Sequence, residues 1–428
     1  MTSAKSKATE LYRNITRCRV CQSDRLTECM SFGEQYLASN FVPSNNGHPL
    51  AEVKVPLTVV LCEGCGLLQL KESVKRDLLY HDYFYRSGTN PMMQAALKDV
   101  ANDVSRKAAL KKGDYIVDIG CNDCTMLSFF PSEYHRIGVE PATNMNWGGV
   151  DPSIRIINDF FSRKEVAKAT GGAPCQLVTS IAMLYGVEDL NSFSSEVKAM
   201  LAPGGVWCIQ LSYLPTIIKN MSFYDVCHEH LYYFSLSTLN SLMERNGLSI
   251  YDASLNDVNG GSLRVFVTHQ EKQKAKTPAY YRIIEEEQML GLAEARTCQK
   301  FFDQVHELKT KVNGYLQRET EKGNLVVGLG ASTKGNVLLQ FFGINRELLP
   351  YISERNPEKV SLRTLGTDIE LVSEERAREL NPCCMLVLIW FFKDEIIQRE
   401  RQYLQRGGKL LFPMPYCHLV TRDGEVPL

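Results

Sequence analysis

The sequence predicts an α/β protein in which a small metal-binding module precedes two domains built on mostly parallel sheets. Three observations predict it. Two Cys-x-x-Cys pairs bracket the N-terminal region, β-branched runs ending in glycine alternate with helical stretches in the middle, and a second strand, glycine turn and helix unit opens near residue 325. A chain of 428 residues is too long for one ordinary domain. Its composition, 44% hydrophobic and 23% charged, is that of a folded globular protein. The formal net charge of −1 gives no global attraction for nucleic acid or an anionic membrane. No apolar run approaches the roughly 20 residues that span a bilayer. The first residues, MTSAKSKATELYRN, carry no apolar stretch of the secretory kind, so a cytoplasmic location and a small-molecule substrate are expected.

Residues 1–85 form the cysteine-bounded module, with short apolar runs such as VPLTVVLC at 55–62. A second unit spans 86–275. It opens with MMQAALKDVANDVSRKAAL (92–110), whose apolar residues recur at helical spacing. YIVDIG (115–120), RIGVE (136–140), CQLVTSIAML (175–184) and GGVWCIQLS (204–212) then read as buried strands with helical material between them. Residues 276–428 begin with a charged, proline-free helical connector over 280–321. A second α/β pattern follows in LVVGLGASTKGNVLLQFFG (325–343), CMLVLIW (384–390) and KLLFPMP (409–415).

Fourteen cysteines are many for a reducing compartment, and their spacing carries the information. Cys18 and Cys21 form one knuckle and Cys62 and Cys65 another. Two such knuckles supply the tetrahedral four-sulfur shell that zinc prefers, and with all positions taken by sulfur the ion is structural. Gly64 and Gly66 stand where the second knuckle must turn tightly.

VDIGCNDCTML (117–127) is a strand leading through Gly120 into a turn that must bring backbone amides close to a ligand. Glu140 ends the next strand, placed to accept hydrogen bonds from both hydroxyls of a ribose. A pyrophosphate would need G-x-G-x-x-G, but Asn122 stands at the second glycine position and no glycine follows in the loop, which continues through Asp123 and Cys124. Asp118 and Asp123 repel phosphate and suit the sulfonium and ammonium of S-adenosylmethionine. Asp159, with Phe160 beside it in INDFF, is placed at the adenine end of that cofactor. GLGASTKGN (328–336) resembles a phosphate cradle at a helix N-terminus, with Ser332, Lys334 and Asn336 as candidate substrate contacts. It lacks the Walker spacing, so nucleotide hydrolysis is not indicated.

FYDVCHEHLYYFS (223–235) packs histidines, carboxylates and tyrosines into thirteen residues. If extended, it puts His228 and His230 on one face and Glu229 on the other. Histidine titrates in the range needed to remove a proton beside a carbonyl, and a neighbouring carboxylate would orient the ring. Metal binding by His-x-His is the rival reading. In DVNGGSLRVFV (257–267), Arg264 is a candidate anion contact.

Together CRVC…CEGC, VDIGCNDCTML, HEHLYYFSLSTL, NGGSLRVFV, GLGASTKGN and GGKLLFPMP resemble the zinc-containing sugar C-methyltransferase family, over nearly the whole chain. The resemblance implies a zinc-binding module, a Rossmann-like S-adenosylmethionine domain and a C-terminal Rossmann-like domain, with a nucleotide-linked keto sugar between the last two. It also implies His230 as the base assisted by Glu229, and places Tyr85 and Ser87 where the family has active-site tyrosine and serine residues. Cys227 stands where well-known members carry tyrosine, CNDC replaces their SNDG, and SIAMLYGVEDL lacks their asparagine and histidine. Leu365-Gly366 and Trp390-Phe391 replace their PG and WN pairs. The alternatives are an O- or N-methyltransferase acting on another natural product, an NAD-dependent oxidoreductase using GLGASTKGN, and a non-catalytic binding protein that kept the fold.

Overall fold

The computed structural model describes residues 11–428 apart from His81, Asp82, Phe84 and Gln273. The N-terminal module holds β1 (Leu26–Gln35), β2 (Phe41–Val42), β3 (Val55–Cys62) and β4 (Leu68–Leu70). The expected helix runs as α1 over Pro91–Ala108. Asn90 caps it by accepting from Met92 N, and it buries Met93, Leu97, Val100, Ala101, Val104 and Ala108.

The central sheet follows with β5 (Tyr115–Ile119), β6 (His135–Val139), β7 (Ile154–Ile157) and β8 (Cys175–Ile181). Next come α2 (Leu190–Met200), β9 (Leu201–Ser212), β10 (Tyr232–Tyr233), α3 (Leu236–Arg245), β11 (Leu248–Asn256) and β12 (Ser262–His269). The strand order is β11-β12-β9-β8-β5-β6-β7. Five strands are parallel and the β11–β12 hairpin is antiparallel. The chain winds outward from β5 in one direction and from β8 in the other, so a crevice opens beyond their carboxyl ends.

Two helices, α4 (Pro278–Met289) and α5 (Ala295–Glu321), form the connector. The last sheet contains β13 (Val326–Leu329), α6 (Thr333–Phe342) packed beside it, β14 (Tyr351–Glu354), β15 (Arg363–Thr364) and β16 (Glu370–Ser373). It continues with β17 (Cys384–Val387), β18 (Lys409–Phe412), β19 (His418–Thr421) and β20 (Gly424–Pro427). Its order, β20-β19-β18-β17-β13-β14-β16-β15-β2, has a second switch point between β13 and β17. The strand expected over 384–390 stops at Val387, because the chain leaves the sheet to put Ile389, Phe391 and Phe392 on a cavity wall.

Two strands cross between the units. β2 of the N-terminal module closes the edge of the last sheet against β15, and β10 of the central region pairs antiparallel with β4 of the zinc module. The three units therefore share backbone hydrogen bonds as well as side-chain packing. No helix among the described residues is long and apolar enough to cross a membrane.

Candidate active site

The four knuckle cysteines converge, with all four sulfurs within 4.8 Å of one another. Cys18 Sγ lies 3.8 Å from Cys65 Sγ and Cys21 Sγ 3.4 Å from Cys62 Sγ. A zinc–sulfur bond of about 2.3 Å makes the edge of a tetrahedron about 3.8 Å, so the cluster has the size of a zinc shell. Local backbone geometry makes it: Gln22 N donates to Cys18 O and Gly66 N to Cys62 O, and Gly66 adopts φ 73°. Gln69 Nε2 donates to Cys18 Sγ at 3.2 Å, an outer contact that the spacing alone did not indicate. Zinc bound there ties Cys18 and Cys21 to the β3–β4 turn, and β4 in turn carries β10.

In the central domain, Asp118 sits at the end of β5, where its Oδ1 accepts from Thr179 Oγ1 at 2.7 Å. Burial pushes its carboxyl up to about 7, so a cation bound nearby would favour its ionised form. Gly120, at φ 78°, has no room for a side chain, since a Cβ there would lie 3.0 Å from Met183. Asn122, also in the left-handed region, donates its backbone N–H to Glu140 Oε2 at 2.9 Å, while Glu140 Oε1 accepts from Ala142 N at 3.0 Å. Burial raises the Glu140 carboxyl, and those two amides oppose the rise. Asn122 Oδ1 accepts from Ser87 N and its Nδ2 donates to Tyr85 O, so the loop itself fastens the segment carrying Tyr85 and Ser87 over the crevice.

Tyr85, Ser87, Asp118, Gly120, Asn122, Glu140 and Phe160 line one cavity of about 990 Å³. Asp123 and Asp159 do not. Asp123 is bonded to Gly88 N at 2.7 Å and to Thr125, and Asp159 is an exposed residue whose Oδ1 accepts from Phe160 N. The Asp123 carboxylate is thus engaged within the loop, and Asp159 stands at the rim beside Phe160. Phe160 does face the cavity, with the Arg76 guanidinium 3.9 Å over its ring.

The segment 227–230 is a turn, closed by His230 N donating to Cys227 O at 3.0 Å, and not the extended strand considered above. The two histidines consequently point to different neighbours. His228 Nε2 lies 3.2 Å from Val55 O and 3.3 Å from Pro56 O, anchoring the turn to β3. His230 Nδ1 lies 2.8 Å from Asp225 O. A carbonyl only accepts, so Nδ1 carries the proton and Nε2 is left with its lone pair. Burial lowers the pKa of His230, with Asp225 opposing, and the ring is neutral at pH 7. Its ring packs against Tyr185 at 3.9 Å between centroids. Glu229 is buried, with the Cys227 thiol beside its carboxylate. The thiol of Cys227 is pushed well up by burial and by the charges of Glu229 and Asp225. His228, Glu229 and His230 all line the same cavity as Glu140.

The cavity continues to the switch point of the last sheet, along Gly330, Ala331, Ser332, Thr333 and Lys334. Ser332 caps α6, its Oγ accepting from Gly335 N at 3.0 Å. Lys334 is not a free charge: its Nζ is 2.7 Å from Asp225 Oδ1 and 3.2 Å from Asn259 O. Two other expected substrate contacts fail on geometry. Arg264 is buried away from the cavity lining, donating to Gln210 Oε1, Asp99 and Asp103 at 2.8–3.0 Å. Asn336 is buried and donates to Ala38 O at 2.7 Å, joining α6 to the N-terminal module. Asp225 and Tyr185 were not singled out from the sequence, although Asp225 lies in the HEH segment and Tyr185 in the segment where the resemblance breaks down.

Such a cavity, with a strand-end acid, a glycine turn and a histidine opening into one space, has the size and lining of a small-molecule site. Three family models match in chain order: a zinc-binding domain over 18–80, a methyltransferase domain over 92–253 and a C-methyltransferase C-terminal domain over 257–415. The C-methyltransferase NovU of Streptomyces niveus is 29% identical over 421 residues, covering 97% of this chain and all of that one. The chain is thus a methyltransferase that carries, in order, a zinc-binding domain, a methyltransferase domain and a C-methyltransferase C-terminal domain. Among solved structures, an S-adenosylmethionine-dependent methyltransferase from Clostridium acetobutylicum is 13% identical, covering 41% of this chain and 92% of that one at a TM-score of 0.32. A Haloferax volcanii methyltransferase complex with its Trm112 activator is 12% identical, covering 42% and 94% at 0.33.

Proposed function

We propose that this enzyme methylates a carbon beside the keto group of a nucleotide-linked sugar, with His230 as the base. The observation that carries the reading is the fixed tautomer of His230: Asp225 O holds Nδ1–H, so the basic Nε2 is the nitrogen left for a substrate proton in a cavity that reaches Glu140. S-adenosylmethionine supplies an electrophilic methyl group on sulfur when bound. Glu140 and Asp118 are the residues that would hold its ribose and its positive charge, and Phe160 its adenine. His230 Nε2 takes the proton from the acceptor carbon, leaving an enolate there as the nucleophile for that methyl group. Glu229, buried beside it, favours the imidazolium that results. Tyr85 and Ser87, fastened by Asn122, close the donor side. His228 acts by anchoring the turn to β3. The acceptor lies between the central and C-terminal domains, at Ser332 and the α6 N-terminus.

The test is a calorimetric screen of nucleoside diphosphates against the zinc-loaded enzyme saturated with S-adenosylhomocysteine. Binding of at least one is expected. Binding of none, with methyl transfer to an acceptor lacking a nucleotide, would establish the alternative of another small natural-product substrate.

A further inference from the structure

The two switch points of this chain repeat one local geometry. In the central domain Gly120, at φ 78°, donates its N–H to Val139 O at 2.8 Å, and the next residue, Glu140, caps the amide of Ala142 at 3.0 Å. In the C-terminal domain Gly330, at φ 85°, donates to Ser353 O at 2.9 Å, and the next residue, Glu354, caps the amide of Asn356 at 2.7 Å. Both glutamates end the second strand of a parallel pair, are 7% and 8% exposed, and line the same cavity. They differ at the other oxygen. Glu140 Oε2 accepts from the loop amide of Asn122, whereas Glu354 Oε2 is buried with no hydrogen-bond partner. The nearest cation is Lys359, whose Nζ lies 3.8 Å away, too far for a hydrogen bond, and donates instead to Ala331 O.

A buried carboxylate oxygen without a donor is costly, and on a residue that lines a ligand cavity at a strand end it can be satisfied by a ligand hydroxyl. Beside it, the Ser332-capped N-terminus of the ten-residue helix α6 presents free amides suited to a diphosphate. We infer that Glu354 accepts a hydrogen bond from a ribose hydroxyl of the substrate's nucleoside, seating the nucleoside at the C-terminal switch point with its diphosphate toward α6. This rests on the nucleotide-linked reading above and names a residue that determines which acceptors are taken.

The experiment is calorimetry of the full-length, zinc-loaded protein saturated with S-adenosylhomocysteine, titrated with UDP, dTDP and inorganic pyrophosphate, for wild type and Glu354→Gln. Losing a charge-assisted hydrogen bond should weaken the nucleoside diphosphates by about 10- to 100-fold. Pyrophosphate should bind no more weakly, because removing a carboxylate near an anion strengthens its binding by Coulomb's law. Glu354→Asp keeps the charge opposite Lys359 and withdraws it by one methylene, so it should lose nucleotide affinity too, and it serves if the glutamine variant folds poorly. Unchanged nucleotide affinity in both variants overturns the inference alone, as does an equal loss for pyrophosphate. Wild type that binds neither nucleoside diphosphate overturns the inference together with the nucleotide-linked reading.

Discussion

Replacing Asp225 by asparagine breaks the ion pair that joins the HEH turn to the helix of the last domain. Asp225 Oδ1 and Lys334 Nζ are 2.7 Å apart, and their side chains are only 4% and 16% exposed. Stranding one member of a buried pair costs about 3–5 kcal/mol. Lys334 keeps its bond to Asn259 O and some contact with water, so the lower end of that range, about 3 kcal/mol, is expected here. Lys334→Met strands Asp225 in the same way. The double variant leaves neither charge alone and should recover at least about 1.5 kcal/mol of the summed losses. The assay is a double-mutant cycle on urea unfolding with S-adenosylhomocysteine bound. His230 Nδ1 is held by the main chain of Asp225, so Asp225→Asn should disturb stability more than the tautomer of the base. Additive losses, or single variants within about 0.5 kcal/mol of wild type, would refute the coupling.

Removing the metal with a chelator, or Cys62→Ser, should release one zinc per chain by elemental analysis. Activity should fall with it, since β10 leads out of the HEH turn and pairs with β4; full activity without zinc would contradict this. Glu140→Gln should weaken S-adenosylhomocysteine by about 10- to 100-fold in calorimetry, from the loss of charge-assisted bonds to the ribose, and unchanged affinity would remove Glu140 from that role. The kcat/KM profile should rise from acid pH with its midpoint below that of an ordinary imidazole, because burial depresses the pKa of His230 and only the neutral ring can accept a proton. A limb that rises above pH 7 would point to another base.

The metal centre was the most legible feature, because two knuckles at short spacing leave little freedom in how four sulfurs meet. The central sheet was legible for a similar reason. Its strands are short buried runs, and the pairing of a glycine turn with a strand-end acid is local to one β-α-β unit, as the Asn122 to Glu140 bond shows. Contacts across long sequence separations were not legible. Arg264 has the sequence look of an anion contact until α1 brings Asp99 and Asp103 to it from about 160 residues away. Lys334 reads as a free cation until the domains close and Asp225 meets it. The two crossing strands, Phe41–Val42 and Tyr232–Tyr233, are only two residues long, too short for any alternation to show. Glu354 stands at the position Glu140 holds in the other sheet, a correspondence that emerges only when both glycine turns are placed at their switch points.

The most direct test of the mechanism is hydrogen exchange at the acceptor carbon. A panel of nucleotide-linked keto sugars is incubated in deuterated buffer with enzyme and S-adenosylhomocysteine, which lacks the transferable methyl, and then read by mass spectrometry. Wild type should wash one deuterium into the acceptor carbon of the sugar it later methylates, and His230→Asn should not. Methyl transfer by wild type with no exchange at that carbon, or full turnover by His230→Asn, would contradict the account.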